Sequence, residues 1–348
     1  MKITYCTGIR NLEPKSMEVY RANLIRELKK IDPHLYLLEH LWNSPTDFNI
    51  PHFHFDREFY RYILYPIFVL KHCGKINHVL DHTYAGVFNF LPKGVKKIVT
   101  VHDLFQLGGK INNFNFFSVP GIKKADKIIA DSQATKNDLV NFLKIKEDKI
   151  EIIHQGINRN IFKPLKTSKQ RHFSNKKIIL NVANHEERKN TLLLIKALEK
   201  LVYKFPDLIL IRVGRENSKI LKEIKKLKLE NRVFYFQNIT ENQLVELYNI
   251  ADLFVFPSLK EGFGFPVLEA MACGCPVICS NVSSLPEVVG NATLMINPND
   301  IDGLVQAIIT VLNNDGIRKA LIKKGFDQVK KFSWEKTAQE VFKVYENI

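Results

Sequence analysis

Apolar positions along the chain fall into short runs of two kinds, which alternate throughout. Runs rich in β-branched and aromatic residues read KITYC (2–6), LYLLEHL (35–41), HVLDHT (78–83), KKIVTVH (96–102), KIIADS (127–132) and KIEIIHQ (149–155) in the first half. In the second half they read KIILNVA (177–183), LILIRVG (208–214), VFYFQNI (233–239), LFVFP (253–257) and PVICSN (276–281). Between them apolar residues recur at helical spacing, as at Met17, Tyr20, Leu24, Leu28 and Ile31, which predicts a helix with one buried stripe. Strands and helices in alternation predict an α/β protein with two doubly wound sheets, one per half. A second helix, DREFYRYILYPIFVLKH (56–72), is apolar and aromatic nearly all round, with Pro66 inside it. It reads as a core helix covering a sheet face, the alternative being Phe and Tyr presented beside Arg and Lys to a lipid interface. Periodicity is weakest in the polar, basic stretch KPLKTSKQRHFSNKK (163–177), and a linker there divides 1–165 from 166–330.

Composition narrows the class. A chain of 348 residues suits two α/β domains, and 45% hydrophobic with 25% charged residues is the balance of a globular protein. The net charge of +15 suits a polyanionic substrate or peripheral contact with an anionic membrane. Nucleic acid would produce the same bias, but zinc spacings, RNA-recognition signatures and clustered basic arms are missing, so no nucleic-acid partner is expected. The five cysteines, odd in number and set in apolar runs, predict a reduced, cytoplasmic protein. Cys273 and Cys275 are too closely spaced for a CxxC metal knuckle and read as small packing residues at a helix end. Neither an apolar signal core at MKITYCTGIR nor a run of ~18 apolar residues is present, so any membrane contact is expected to be peripheral, on the inner face.

The chemistry concentrates in PSLKEGFGFPVLEAMACGCPVICSN (257–281). LFVFPS predicts a strand and FPVLEAMAC a helix with Pro266 in its first turn, so KEGFG connects them at the edge where open α/β sheets bind ligands. Gly262 and Gly264 let backbone N–H groups approach a ligand, and the helix start adds partial positive charge. The product is an anion site, most naturally for a diphosphate. Glu261 precedes the helix and Glu269 follows eight positions later, inside it. Helical side chains lean toward the N-terminus, so Glu269 is expected to reach back to the ligand, where a carboxylate suits a ribose diol. Glu261 is placed for hydroxyls or developing positive charge beyond the phosphates. The bland alternative is one glutamate capping the helix and the other solvated.

SLKEGFGFPVLEAMACGCPVICSNVSSLPEVVGNA closely resembles the EX7E region of retaining glycosyltransferases of family four, which have the GT-B fold. KKIVTVHDL, ADSQATKNDL, EIIHQGINRNIFKP, ERKNTLLLIKAL and FSWEKTAQEVFKVY follow the same family in order, so the resemblance covers most of the chain. It implies two Rossmann-like domains facing a central cleft, the first on the acceptor side and the second holding the nucleotide sugar. It also implies that the closing helix of 331–348 crosses back to the first domain. By resemblance, Glu261 lies near the donor sugar, Glu269 binds the nucleotide ribose, and Arg188 and Lys189 grip the donor diphosphate. Two adjacent cations at a helix start oppose its dipole, which a bound anion would explain. Gly262, Phe263, Gly264, Phe265 and Pro266 are expected to contact the donor, with Asn184 and Asp103 as further substrate contacts. His102, at the end of a strand in the first half, matches a cleft histidine, able to bond a sugar or shift protons, the alternative being a satisfied structural histidine; Asp103 is the weaker candidate, since an Asp there also caps a turn. His154 reads as interdomain or structural, and Ser132 and Thr135 as helix-start residues.

The sequence departs from the family in two places. Gly8 is followed by NLEPKSMEVY, without the expected glycine near Met17, and Ala183-Asn184 stands where Gly-Arg or Gly-Thr is usual. The only DxD, Asp300-Ile301-Asp302, reads as a helix cap, so catalysis without bound metal or cofactor is expected. The implied activity is retaining transfer of a hexose from a nucleotide sugar, GDP-mannose ahead of a UDP-hexose, to a lipid-linked or polysaccharide acceptor. The rivals are a phosphorylase or sugar-phosphate synthase on the same fold, and a silent subunit that partners an active transferase.

Overall fold

The computed structural model describes residues 2–6, 15–33, 36–39, 63, 65–105, 114–166, 173 and 175–348. Gly8 and much of 56–72 and 163–177 lie outside them. The chain forms two compact units, one of Met1–Gly156 with Ser333–Ile348, the other of Ile157–Phe332.

Unit 1 runs β1 (Lys2–Cys6), α1 (Lys15–Ile31), β2 (Tyr36–Glu39), α2 (Tyr65–His72), β3 (Ile76–Val79), a 3-10 helix (His82–Asn89), β4 (Lys96–Val101), α3 (Val119–Lys123), β5 (Lys127–Ala130), α4 (Gln133–Leu143) and β6 (Ile150–Ile152). Its strands pair in parallel in the order β2-β1-β3-β4-β5-β6. The predicted stripe of α1 buries Tyr20, Leu24 and Leu28, while Ile31 reaches solvent. The strand expected at HVLDHT ends at Val79, because the Asp81 carboxylate accepts from the Thr83 N–H and starts the 3-10 helix instead. In α2, Pro66 stands in the first turn, where its missing N–H costs nothing; Tyr65 and Val69 face the core while Ile67 and Leu70 are exposed. The helix is therefore one-sided over its described part.

Unit 2 runs β7 (Lys177–Val182), α5 (Thr191–Leu201), β8 (Leu208–Val213), α6 (Ser218–Lys226), β9 (Val233–Phe236), α7 (Glu241–Ile250), β10 (Leu253–Phe256), α8 (Phe265–Ala272), β11 (Val277–Ser280), α9 (Leu285–Val289), β12 (Leu294–Ile296), α10 (Ile301–Asn313) and α11 (Asp315–Val329). The parallel order is β12-β11-β10-β7-β8-β9, so the chain reverses direction across the sheet between β7 and β10. Strand alternation separates two cores. Ile209, Ile211, Phe254 and Phe256 pack against Tyr248 of α7 and Val267 and Met271 of α8. Leu208, Leu210, Leu253 and Val255 pack against Leu194 and Leu198 of α5, Ile220 of α6 and Ile308 of α10.

The division falls between Gly156 and Ile157, earlier than the polar stretch suggested, because Ile157 and Phe162 already belong to the core of unit 2. Helix α12 (Trp334–Glu346) belongs to unit 1. Its Tyr345 hydroxyl lies 2.8 Å from the Tyr5 hydroxyl and 2.7 Å from His78 Nδ1, and its Trp334 ring meets Tyr20 edge-on. Thr337 Oγ1 donates to the His154 carbonyl at 2.8 Å, which gives that segment a structural partner inside unit 1. Cys273, Cys275 and Cys279 are buried free thiols, and burial pushes Cys273 and Cys279 up to about 12. Among the described residues no helix is long and apolar enough to cross a membrane.

Candidate functional site

In unit 2 two loops meet at the carboxyl edge of the sheet, one after β7 and one after β10. The Leu259 N–H donates to the Arg188 carbonyl at 2.7 Å. Asn190, at φ 52°, donates through its side-chain amide to the Pro257 and Pro298 carbonyls at 3.0 and 2.7 Å. So held, the first loop presents Arg188 and Lys189 to Glu261. Lys189 Nζ lies 2.7 and 2.9 Å from the two Glu261 carboxylate oxygens, and Arg188 Nη1 donates to Oε2 at 3.0 Å. Glu261 is only 6% exposed, so both cations converge on a largely buried carboxylate. Burial pulls the Lys189 pKa down, opposed by the Glu261 charge. Asn184 is one step removed: its amide donates to Glu186, which in turn accepts from Arg188 Nε.

Gly264 begins α8 at φ 101°, and a Cβ there would sit 2.8 Å from Leu285 Cδ2. The left-handed backbone requires glycine, and a Cβ would also press the Leu285 side chain aside. Pro266 takes the first turn, and neither glutamate caps the helix. Ser284 Oγ donates to the Phe263 and Glu261 carbonyls, fixing the loop backbone. Glu269 is half-buried and accepts from the Tyr248 hydroxyl at 2.8 Å. Phe263 is expected at the donor through the 262–266 backbone, and its side chain is used elsewhere. Its ring packs against Phe265 and Phe332 in the core, which leaves its backbone as the group a ligand can meet.

In unit 1, His102 follows β4 and is buried. Its Nδ1 lies 3.2 Å from Asp131 Oδ2, and its Nε2 lies 2.9 Å from the Leu80 carbonyl. Gln155 Nε2 donates to the same Asp131 oxygen at 2.7 Å, and Thr135 Oγ1 to the other at 3.3 Å. Burial opposes charge on the imidazole, but the Asp131 hydrogen bond and charge outweigh it and raise the His102 pKa. Both ring nitrogens are thus engaged within unit 1. Asp103 Oδ1 accepts from the Phe105 N–H at 3.1 Å, the turn-capping alternative, and Ser132 caps α4.

Residues 162–328 match the family model described as "Glycosyl transferases group 1", and residues 17–160 that described as "Glycosyltransferase Family 4". The chain is 28% identical to an O-antigen chain mannosyltransferase B of Escherichia coli over 76% of its length and 74% of that protein. An uncharacterized glycosyltransferase of Methanocaldococcus jannaschii is 30% identical over 94% of this chain and 93% of its own. The chain belongs to the family 4 glycosyltransferases. A crystal structure of Anabaena HepE in complex with UDP and glucose matches 100% of both chains with TM-score 0.81 at 18% identity. That likeness shows the GT-B fold of two parallel-sheet α/β domains.

In this family 4 glycosyltransferase the DxD residues serve helix structure: Asp300 accepts from the Gly303 N–H as the cap of α10, and Asp302 pairs with Lys200. Four further residues bear on the candidate sites. Asp131 and Gln155 stand inside the quoted stretches ADSQATKNDL and EIIHQGINRNIFKP, but nothing there pairs them with His102, and Tyr248 lies in no quoted motif. Arg212 did leave a signal, a lone charge inside the apolar run LILIRVG, and it is 2% exposed.

Proposed function

We propose that the chain is a retaining hexosyltransferase that moves a hexose from a nucleoside diphosphate sugar, GDP-mannose ahead of a UDP-hexose, to a lipid-linked or polysaccharide acceptor. The observation that carries this reading is the convergence of Arg188 and Lys189 on the buried Glu261, beside the glycine-started helix that holds Glu269. In such a transfer the bond from the anomeric carbon to the diphosphate breaks, an acceptor hydroxyl oxygen bonds to that carbon and loses its proton to the departing phosphate oxygen or to solvent, and negative charge develops on the diphosphate as it leaves. Arg188, Lys189 and the backbone N–H groups at the start of α8 stabilise that charge. The two cations fill the role a divalent ion would otherwise take, and the reading is of transfer without bound metal. Glu261 then faces the positive charge that develops at the sugar, and Glu269, held by Tyr248, accepts from the ribose hydroxyls.

Unit 1 supplies the acceptor surface. His102 acts there as a fixed ring rather than a proton shuttle, because proton transfer would first require it to leave Leu80 or Asp131. Preference for GDP-mannose is supported by the resemblance of SSLPEVVGNA to the mannosyl branch and by the mannosyltransferase relative. The UDP and glucose bound by HepE keep a UDP-hexose second. The basic surplus supports work at the inner face of the cytoplasmic membrane.

The test is release of nucleoside diphosphate from GDP-mannose and UDP-hexoses by the purified chain in EDTA, with a lipid-linked glycan acceptor and NMR of the new linkage. Turnover with retained configuration, abolished in Glu269→Ala and Lys189→Ala, is the expected result. Turnover only with added divalent metal overturns the metal-free reading, an inverted linkage the retaining one, and failure of all donors to bind or react the transferase reading.

A further inference from the structure

The ends of β7 and β8 and the starts of α5 and α6 enclose a cavity of about 220 Å³ within unit 2. Arg212 lines it and is one of the largest fully buried side chains of the protein. Its Nη1 donates to Asn181 Oδ1 at 2.9 Å and to Thr191 Oγ1, and its Nη2 donates to the Ala183 carbonyl at 3.1 Å. The guanidinium carbon stands 5.7 Å from the Tyr235 ring centroid. Each hydrogen-bond acceptor is neutral, and Nε has no partner. A buried cation held only by neutral groups is costly unless an anion approaches it.

The rest of the lining suits that anion. Arg215, Lys219 and His185 border the same cavity. Of the two bordering carboxylates, Glu187 is drawn to Lys219 at 3.0 Å and Glu186 to Arg188. The first turn of α5 opens here with no side-chain cap, and the Asn190 amide NH2 is turned to the Pro257 and Pro298 carbonyls. Cationic donors and a helix start approaching from different sides match a tetrahedral oxyanion better than a planar carboxylate.

We propose that this cavity binds a phosphate group, as inorganic phosphate or as a small phosphomonoester, with Arg212 as its buried anchor. Neither Arg188 nor Lys189 lines it. The Arg212 side chain follows Leu208 and Leu210 to the α5 and α6 side of the sheet, whereas Glu269 stands on α8, which covers the other side. The loop between β7 and α5 borders the cavity at 185–187 and again at Asn190 and Thr191, and carries Arg188 and Lys189 between them. If the proposed function is right, phosphate bound here stiffens the loop that grips the donor.

The experiment is calorimetric titration of the full chain with inorganic phosphate against chloride at matched ionic strength, without any sugar donor. Wild type and Lys189→Ala should both bind, and Arg212→Met should bind about tenfold more weakly or worse, the scale of one charge-assisted hydrogen bond. Should Arg212→Met fail to fold, the exposed double variant Arg215→Ala/Lys219→Ala keeps the core intact and should weaken binding in the same direction. Glycerol 3-phosphate binding more tightly than inorganic phosphate assigns a phosphomonoester, and the reverse assigns the free ion. The proposal is overturned if wild type does not bind phosphate, if a folded Arg212→Met or the double variant binds like wild type, or if Lys189→Ala alone abolishes binding. None of these results touches the transferase reading, which nucleotide binding tests separately.

Discussion

Replacing Glu261 by glutamine preserves the outline of the side chain and removes the charge that Lys189 and Arg188 meet. The carboxylate accepts bonds of 2.7, 2.9 and 3.0 Å from the two cations. Lys189 is 11% exposed at its side chain and Arg188 25%, so the pair is well removed from water, Arg188 less so. Breaking a buried pair by removing one partner costs about 3–5 kcal/mol. The glutamine oxygen still accepts, and Arg188 keeps some solvent, so a loss of ~2 kcal/mol is the reasoned value for Glu261→Gln. The same change makes a stronger anion site, because a nucleoside diphosphate no longer competes with a resident carboxylate. GDP or UDP should therefore bind Glu261→Gln as tightly as wild type or tighter, while sugar transfer collapses. Nucleotide at about 100 times its Kd should return ~2.7 kcal/mol, enough to offset the loss. Calorimetric titration and thermal unfolding of wild type, Glu261→Gln and Lys189→Ala measure all of this. If Glu261→Gln loses nucleotide binding as fully as Lys189→Ala, the charge-competition argument is wrong.

Tyr248→Phe deletes the hydroxyl that orients Glu269 and should cost about 1 kcal/mol of stability; it should weaken GDP or UDP but not pyrophosphate, and equal weakening of both would remove Glu269 from the ribose. Gly264→Ala forces a Cβ against Leu285 at φ 101° and should destabilise unit 2 by roughly 1–3 kcal/mol in denaturant unfolding; an unchanged midpoint would contradict the geometry. His102 is raised in the folded state by Asp131, so the folded protein holds its proton more tightly than the unfolded chain. Its contribution is complete below the ordinary imidazole value of about 6.5 and is lost as pH rises through the raised folded value. His102→Gln should flatten that decline in stability measured by denaturant at stepped pH, and an unchanged slope would mean the ring is neutral.

The legible parts of the fold were those written in local pattern. Apolar runs of four to six residues marked most strands because both sheet faces are covered. Pro266 after two glycines marked the start of α8, and Asp300 before an apolar helix marked a cap. Strand β12, three residues long with Met295 exposed, carries too little periodicity to separate from a loop. HVLDHT failed as a strand because one carboxylate at Asp81 offered the backbone a turn. At the candidate site, Glu261, Arg188 and Lys189 were identifiable by motif, but their mutual pairing was not, since it joins positions more than seventy residues apart. Tyr248 on Glu269 and Asp131 on His102, 21 and 29 positions apart, are hidden because each pair joins different elements and no local periodicity links them. The core packing of the Phe263 ring was not legible either, because a motif position does not say which way a ring turns.

The return of α12 to unit 1 has a consequence for synthesis. Unit 2 is one contiguous stretch, and the ribosome completes it before Ser333–Ile348 emerges. Tyr5 and His78 must await Tyr345, and Tyr20 must await Trp334, although all three are made early. Gly156 must also leave room for that late arrival, since a Cβ there would lie 2.2 Å from the Trp334 nitrogen. The half of the molecule translated first is thus the last to close, and during that interval His78 and Tyr20 have Thr100 but lack their partners from α12.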